Sequence, residues 1–315
     1  MAPTILIVGA TGNTGQETVR SLSKLLDSSK TFSGYRLLAQ TRSAAGAAAQ
    51  KLAKLPHVQV VEYAWPDITK DWLRDQEVVR AFIASHNQPS QFAEESSFLV
   101  ACLKARVKYV VRISTTAANV FPSNEAYYPR SHWAIEALLG SPEFDALHWS
   151  SLQPNVFFSF VLGSAAEIVK AHRGGHDKHD TLRLILDENT PTGVVHPDDV
   201  GNFAAHLLLQ DDTAALNKRK YVLNGPQDVT GAQIVRLVEE AIGAQLEDVS
   251  FKDVSFVDGM VAQVEEGKGL IRSIRYAPET TWEGKASAST TSKEVLELAP
   301  PTRTIDDAWK EALES

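Results

Sequence analysis

Three glycines, each three residues apart, follow the first apolar run of the chain. Residues 9–15 read Gly-Ala-Thr-Gly-Asn-Thr-Gly and come directly after Thr4–Val8. Between a strand and a helix, such glycines allow a tight turn, a close approach of the backbone to a pyrophosphate and close packing of the helix on the strand. The helix N-terminus then offers free N–H groups to the phosphates. The alternative is an ordinary turn with incidental glycines. The pattern predicts a dinucleotide-binding turn with contacts from Gly9, Thr11, Gly12, Asn13, Thr14 and Gly15.

The end of the second predicted strand bears on which dinucleotide binds. NAD-binding proteins place an acidic side chain there to hold the 2′-hydroxyl of the adenosine ribose. Here the sequence is Gln40-Thr41-Arg42-Ser43, without an acid. Arg42 can pair with a 2′-phosphate and stack on adenine. The residues therefore favour NADP(H) as the cofactor, with a solvated surface arginine as the alternative interpretation.

Hydroxyl side chains follow two further predicted strands. Ser85 comes after the fourth strand and Ser114 after the fifth. Ligands of open α/β sheets bind beyond the carboxyl ends of the strands. We therefore expect Ser85 to contact the cofactor and Ser114 to contact a ligand, although ordinary turn chemistry would also place serine at these positions.

Short apolar runs that alternate with amphipathic stretches must position these residues. The run Thr4–Val8 has no polar alternation, which is typical of a strand buried on both faces. The pattern predicts further strands at Arg36–Thr41, Val58–Val61, Val78–Ala84, Tyr109–Ile113 and His148–Leu152, with helices at Ala44–Lys54, Phe92–Lys104 and Ser131–Leu139 between them. Such alternation predicts an α/β fold with a doubly wound parallel sheet.

The second half of the chain changes character. It begins with an apolar helix or lid over Phe157–Ala171, and Leu182–Leu186 is a candidate strand that returns to the sheet. Thr230 with Gln233, and Thr304 with Asp307, predict capping boxes at two later helices, and residues 283–292 read as a surface loop. We expect a core of residues 1–155, to which 190–225 return, and a small α+β substrate-binding region of residues 156–189 and 226–315.

Composition narrows the functional class. The 315 residues are 43% hydrophobic and carry a net charge of −8, which is ordinary for a globular protein and argues against nucleic-acid binding. The single cysteine, Cys102, excludes an internal disulfide. The longest apolar stretch, Val156–Ala166, is too short to span a bilayer. These features predict a cytoplasmic protein without a membrane partner.

Several segments resemble, in order and spacing, the NmrA-like family of atypical short-chain dehydrogenases/reductases. They are Thr4–Gly15 (TILIVGATGNTG), Val107–Ser114, His132–Glu136, Leu152–Phe157, Val195–Val200 and Tyr221–Pro226. The resemblance implies a Rossmann-type core with a small C-terminal substrate region. It also implies that a proline and a later aromatic, Pro154 and Phe157, border the nicotinamide, and we expect Asn155 between them to contact the cofactor. The family contains both reductases and dinucleotide-sensing regulators, so membership alone does not establish catalysis.

The catalytic residues depart from the pattern of ordinary short-chain dehydrogenases, which use Tyr-x-x-x-Lys with a serine. Tyr128 stands at a suitable distance after Ser114, but the residue four positions beyond it is His132, and there is no lysine between Tyr109 and Val169. Histidine is a competent acid or base near pH 7. We therefore expect Tyr128 and Ser114 to orient the substrate and His132 to donate a proton. Packing or ribose contact by His132 is the alternative.

A group of three histidines and a group of three phenylalanines are further candidates for a functional role. His172, His176 and His179 have helical spacing, but glycines interrupt the segment, and we expect a solvated polar loop and no metal site. Phe157, Phe158 and Phe160 could cover an apolar ligand or simply belong to the core. Together the residues predict an NADP(H)-dependent oxidoreductase for a small apolar or aromatic substrate, and similarity to fungal members suggests secondary metabolism. The alternatives are a dinucleotide sensor with a protein partner and a cofactor-bound enzyme of non-redox chemistry, such as a cyclase or isomerase.

Overall fold

The computed structural model describes residues 2–175 and 181–314, in which seven parallel strands form the main sheet. The strands are β1 (Thr4–Val8), β2 (Arg36–Thr41), β3 (Val58–Glu62), β4 (Val78–Ile83), β5 (Tyr109–Ile113), β6 (His148–Pro154) and β8 (Arg219–Leu223). Their order across the sheet is β3-β2-β1-β4-β5-β6-β8, so the direction of winding changes between β1 and β4. The predicted Rossmann-type doubly wound parallel sheet is confirmed. Such a switch point is where α/β sheets bind ligands.

Helices pack on both faces of this sheet and build a separate small region. They are α1 (Asn13–Ser28), α2 (Ala47–Leu52), α3 (Lys70–Asp75), α4 (Gln91–Ala105), α5 (Tyr127–Leu139), α6 (Phe158–Arg173), α7 (Pro197–Leu208), α8 (Gly231–Ile242), α9 (Phe256–Ala262), α10 (Lys268–Arg272), α11 (Glu279–Trp282), α12 (Lys293–Leu298) and α13 (Ile305–Glu314). One face of the sheet is covered mainly by α1 and α7, and the other by α3, α4 and α5. The odd and even residues of β1 enter opposite cores, which explains why the whole strand is apolar.

The small region has a core of its own, formed by α6, α8 and α13. A two-stranded parallel sheet, β7 (Leu182–Leu184) with β9 (Val249–Phe251), packs against it. The prediction that Leu182–Leu186 returns to the main sheet is therefore wrong. Its alternate leucines are buried in this second core, while β8 takes the place at the edge of the main sheet beside β6.

Local signals in the sequence are confirmed at several helix ends. Thr230 and Gln233 form the predicted capping box at α8, with Thr230 N donating to Gln233 Oε1 over 2.8 Å. Thr304 and Asp307 make the corresponding pair at α13. The surface loop predicted at residues 283–292 is wrong in part, because Ala286 is buried and its carbonyl accepts a hydrogen bond from Gly193. In the described part of the chain, no helix combines the length and apolar character that crossing a bilayer requires.

Candidate functional site

A cleft of about 660 Å³ runs along the carboxyl edge of the main sheet. It begins at the turn after β1, passes the loops after β2, β4, β5 and β6, and ends between α6 and α9. Of the predicted site residues, the cleft brings together Gly9, Thr11, Gly12, Asn13, Thr14, Arg42, Ser85, Ser114, Tyr128, His132, Pro154, Asn155 and Phe157. Gly15 lies behind them, in the first turn of α1. Residues from six separate segments, five at the ends of strands and one in helix α5, thus meet at one edge of the sheet.

The turn after β1 forms a narrow cradle. Gly9 has a φ of +76°, and a Cβ at this residue would lie 2.9 Å from the carbonyl oxygen of Ala84. Ala84 directly follows β4, the neighbour of β1 in the sheet. A Cβ on Gly15 would lie only 2.1 Å from the Gly9 oxygen, so α1 packs directly on the turn. The N-cap of α1 is Gly12, which has no side chain to satisfy the first N–H groups of the helix. The helix therefore presents N–H donors and the positive end of its dipole to the cleft, as an anion site requires.

The end of β2 supports this cradle. Gln40 is 2% exposed, and its Oε1 accepts from the N–H of Gly9 (3.0 Å) while its Nε2 donates to the Tyr63 carbonyl (2.6 Å). The hydroxyls of Thr11 and Thr41 lie 3.0 Å apart. Arg42, the next residue, is exposed in the wall of the cleft. A fixed amide thus joins the glycine turn to the end of β2, and Arg42 follows it in the wall of the same cleft.

Ser114 directly follows β5, and its hydroxyl has no hydrogen-bond partner among the described residues. Its N–H donates to the Leu152 carbonyl, and the residue is 5% exposed. Among the described residues no group hydrogen-bonds to its Oγ. A buried polar atom without a partner is costly, by about 1–3 kcal/mol. Because Ser114 lines the cleft, this hydroxyl is suited to a ligand atom.

Tyr128 and His132 share a face of α5. The helix begins at Tyr127, so Pro129 lies in its first turn, where a missing N–H breaks no intrahelical hydrogen bond. The rings of Tyr128 and His132 meet edge to face at 6.4 Å. Burial raises the pKa of Tyr128, although a hydrogen bond with Thr115 opposes the shift. Tyr128 therefore carries its hydroxyl proton at neutral pH.

His132 is buried in a polar network. It is 2% exposed, and Arg112 Nη2 donates to its Nδ1 over 2.8 Å. Its Nε2 lies 3.1 Å from Oδ1 of Asn87. Burial and, to a lesser degree, the Arg112 guanidinium hold the pKa of His132 well below its ordinary value. The imidazole is therefore neutral at pH 7, with both ring nitrogens engaged, and its predicted role as proton donor stays a prediction.

The sequence reasoning missed the charged residues behind His132. Arg112 is fully buried, with Nε 2.6 Å from Glu95 Oε1 and Nη1 3.7 Å from Glu136 Oε1. Lys220, from β8, reaches Glu136 Oε2 at 2.7 Å. Two cations thus face two anions, so a protonated His132 would leave a buried net positive charge. The available signal was Arg112 itself, a charged residue inside the apolar run Tyr109–Ile113.

The polar residues after β4 and β6 already have partners within the protein. Ser85 Oγ donates to Glu95 Oε2 at 2.7 Å. The Asn155 amide donates to the carbonyls of Ala286 (2.8 Å) and Gly193 (3.2 Å), and its Oδ1 accepts from Val156 N–H. These contacts join β6 to the small region. Cofactor contacts by Ser85, Pro154 and Asn155 stay predictions.

The far end of the cleft is apolar. Phe157 and Phe160 line it, whereas Phe158 is 2% exposed and belongs to the core around α6. Phe160 is 59% exposed and meets Phe256 of α9 edge to face at 5.7 Å. The remaining apolar wall consists of Ile185, Leu186, Met260, Ile271, Ile274, Ala277 and Pro278. Such a wall suits an apolar or aromatic ligand.

The predicted absence of a metal site concerns a histidine group that is only partly described. His172 lies near the end of α6, whereas His176 and His179 lie outside the described residues. Within 2–175 and 181–314, no group of three or more potential ligand residues is placed to hold a metal ion.

Comparisons with known proteins agree with this architecture. The chain shares its fold with the NADPH-dependent quinone oxidoreductase of Escherichia coli, crystallised with NADPH, at 20% identity and a TM-score of 0.71, over 98% of this chain and 99% of that one. A triphenylmethane reductase of Citrobacter sp. complexed with NADP(H) superimposes with a TM-score of 0.65 at 19% identity, over 98% and 100% of the chains. An isoflavone reductase gives 0.66 at 16% identity, over 99% of each chain. A search of curated proteins gives no significant match. The model of the NmrA-like family matches residues 1–304, so the predicted resemblance is confirmed and the chain belongs to the NmrA-like family.

Proposed function

We propose that this protein is an NADP(H)-dependent oxidoreductase that reduces a small, uncharged apolar or aromatic substrate. One observation carries the proposal: the phosphate cradle after β1 and the apolar chamber at α6 and α9 are two ends of a single cleft. The unpartnered hydroxyl of Ser114 lies in the wall of the same cleft. The solved structures of similar fold that contain NADPH or NADP(H) support the choice of cofactor.

The residues present fit such a cofactor. A side chain at Gly9 or Gly15 would collide with neighbouring backbone, so the turn keeps its surface open at the N-terminus of α1. The N–H groups of α1 would hold the pyrophosphate, and Arg42 would pair with the 2′-phosphate. When bound, NADPH supplies a hydride from its nicotinamide ring.

The protein's own residues would orient the substrate and deliver a proton. Ser114 Oγ has its hydrogen-bonding capacity free for a substrate oxygen. Tyr128 retains its proton at neutral pH, because burial raises its pKa, and its Oη is our proposed proton donor. The apolar wall excludes water from the reacting atoms. This assignment replaces the sequence-based choice of His132, whose ring nitrogens are both hydrogen-bonded.

The experiment combines cofactor binding with turnover. NADPH affinity is measured by calorimetry, and its oxidation is followed by absorbance with a panel of neutral aromatic ketones, enones and quinones. We expect Tyr128→Phe to lower kcat by about 10²–10⁴-fold and to change the NADPH Kd by no more than a few-fold. Tyr35→Phe is a matched control, because Tyr35 precedes β2 at the opposite edge of the sheet. Full turnover by Tyr128→Phe would contradict the proton-donor role.

A second candidate function is a non-catalytic dinucleotide sensor that binds a protein partner. It is favoured by α5, which carries no lysine in the place where related reductases use one. A sensor would bind NADP⁺ and NADPH but would oxidise NADPH with no member of the panel. That result, with binding intact, would select the sensor over the reductase. The cytoplasmic location and a role in secondary metabolism stay predictions.

A further inference from the structure

Asn87 lies in the loop after β4, in the wall of the cleft, and two residues of α5 hold it. The hydroxyl of Tyr127 donates to the Asn87 main-chain carbonyl. His132 Nε2 lies 3.1 Å from Asn87 Oδ1. One helix therefore fixes both the backbone and the side chain of a loop residue that neither catalysis nor the apolar chamber explains.

The hydrogen-bond donors decide which way the Asn87 amide is turned. A guanidinium can only donate, so the 2.8 Å contact from Arg112 means that His132 Nδ1 is unprotonated. The ring proton is then on Nε2 and is donated to Asn87 Oδ1. The amide NH₂ group of Asn87 is therefore the end directed away from His132. Among the described residues this NH₂ group has no hydrogen-bond partner.

The position of Asn87 along the sheet edge indicates what it would meet. Arg42 follows β2, the glycine turn follows β1, and Asn87 follows β4, and these strands are neighbours in that order. The turn and the end of β4 abut, since a Cβ on Gly9 would lie 2.9 Å from the Ala84 oxygen. With the 2′-phosphate at Arg42 and the pyrophosphate at the turn, the nicotinamide half of the cofactor passes over the end of β4.

We propose that Asn87 binds the nicotinamide half of the cofactor, donating its amide N–H to a ribose or phosphate oxygen, and that His132 is the positioning residue that holds this amide. Arg112 fixes the tautomer of His132, and burial of the ring beside the Arg112 guanidinium keeps it neutral. His132 then moves no proton. This inference rests on the proposed binding of NADP(H).

The test measures two dissociation constants by calorimetry, for NADPH and for 2′,5′-ADP, which lacks the nicotinamide half. We expect Asn87→Ala and His132→Leu each to weaken NADPH binding by about tenfold, a typical loss for one hydrogen bond. Both should leave 2′,5′-ADP binding unchanged. The double variant should bind NADPH no more weakly than either single variant, since the two residues act through one contact.

Variant His132→Gln distinguishes positioning from other roles. A glutamine amide can accept from Arg112 and donate to Asn87, so it should restore NADPH affinity to within about threefold of the parent. Asn189→Ala is the matched control, because Asn189 is an exposed residue outside the cleft wall. If His132→Leu does not fold, Asn87→Ala and His132→Gln still carry the test.

The outcomes separate this inference from the cofactor proposal. If the parent binds neither NADPH nor 2′,5′-ADP, the proposed function fails. If the parent binds both and Asn87→Ala leaves the NADPH Kd unchanged, only the assignment of Asn87 fails. If His132→Gln weakens NADPH binding as much as His132→Leu does, the positioning role of His132 is overturned. The same holds if His132→Gln abolishes turnover while the NADPH affinity is kept.

Discussion

The glycine turn offers a prediction in which cofactor binding should be lost while stability is kept. Gly12 is the N-cap of α1, with φ −78° and ψ 176°, a conformation open to any residue. Aspartate is among the preferred N-cap residues, because its carboxylate accepts from the N–H groups of the second and third helical residues. In α1 these residues are Thr14 and Gly15. The variant Gly12→Asp would thus satisfy the very N–H groups that we assign to the pyrophosphate.

The structure sets the size of both effects. A Cβ on Gly12 would lie 3.2 Å from the Gly9 oxygen, so accommodation needs a shift of only a few tenths of an ångström. Replacing glycine by aspartate at an N-cap gains a few tenths of a kcal/mol, so we expect the melting temperature to change little. The new carboxylate would lie about 4 Å from a bound phosphate, where two like charges repel by about 4 kcal/mol at an effective dielectric constant of 20. NADPH binding should therefore weaken by about a thousandfold.

The assay pairs calorimetric titration with NADPH and thermal unfolding of the same samples. Gly12→Asn is the control of matched shape, and it should retain more affinity than Gly12→Asp because the repulsion between charges is absent. A folded Gly12→Asp variant with parental NADPH affinity would refute the placement of the pyrophosphate at this turn. Equal losses in both variants would show that space, rather than charge, limits binding.

Three further predictions concern the two ends of the cleft and the buried histidine. Arg42→Ala should weaken NADPH binding by about tenfold to a hundredfold and leave the NADH affinity unchanged in calorimetry, since a hydrogen bond to a charged group contributes about 1.5–3 kcal/mol. Equal affinities of the parent protein for NADPH and NADH would contradict this prediction. Phe160→Ala should raise the KM for an aromatic substrate by about threefold to tenfold at constant NADPH affinity, which initial-rate kinetics would show, because its ring lines the chamber. Burial lowers the pKa of His132, so below about pH 6.5 the unfolded chain takes up a proton that the folded protein does not. The free energy of unfolding should therefore decrease as the pH is lowered, by up to about 1.4 kcal/mol per pH unit. Urea titrations between pH 7 and 5 should show a flatter pH dependence of the unfolding free energy for His132→Gln than for the parent protein. Burial lowers the pKa of His206 too, so His206→Gln should flatten the dependence in the same direction. A His132→Gln variant with the parental slope would contradict the prediction.

Local patterning was enough to predict the core of the fold. Strands buried on both faces leave continuous apolar runs, so β1 to β6 were found within a few residues. Helix α3 (Lys70–Asp75) was missed because its six residues bury a single side chain, Leu73, and leave almost no periodic signal. The partner of Leu182–Leu184 could not be predicted, since an apolar run does not indicate which of two sheets it joins.

The candidate site was predicted best where chemistry and backbone geometry coincide. The glycine spacing restricts the backbone, so residues 9–15 took the expected turn. The roles of side chains were harder to infer, because they depend on contacts between distant segments. Asn155 was predicted to contact the cofactor, yet its amide donates to the carbonyl of Ala286, which is 131 residues away in the sequence. The role proposed for Asn87 likewise depends on its contacts with Tyr127 and His132, which lie 40 and 45 residues away in the sequence.

Helix α5 carries no lysine, but two cations of neighbouring strands contact it. Lys220 approaches α5 from β8 and pairs with Glu136, and Arg112 approaches from β5 and contacts His132, so cations reach the helix from the sheet. Lys220 lies outside the described wall of the cleft, and Arg112 is fully buried, so neither presents its charge to a ligand. Their charges instead compensate buried carboxylates, while burial and, to a lesser degree, the Arg112 charge keep His132 neutral. This arrangement agrees with our proposals that Tyr128 delivers the proton and that His132 holds the Asn87 amide in place.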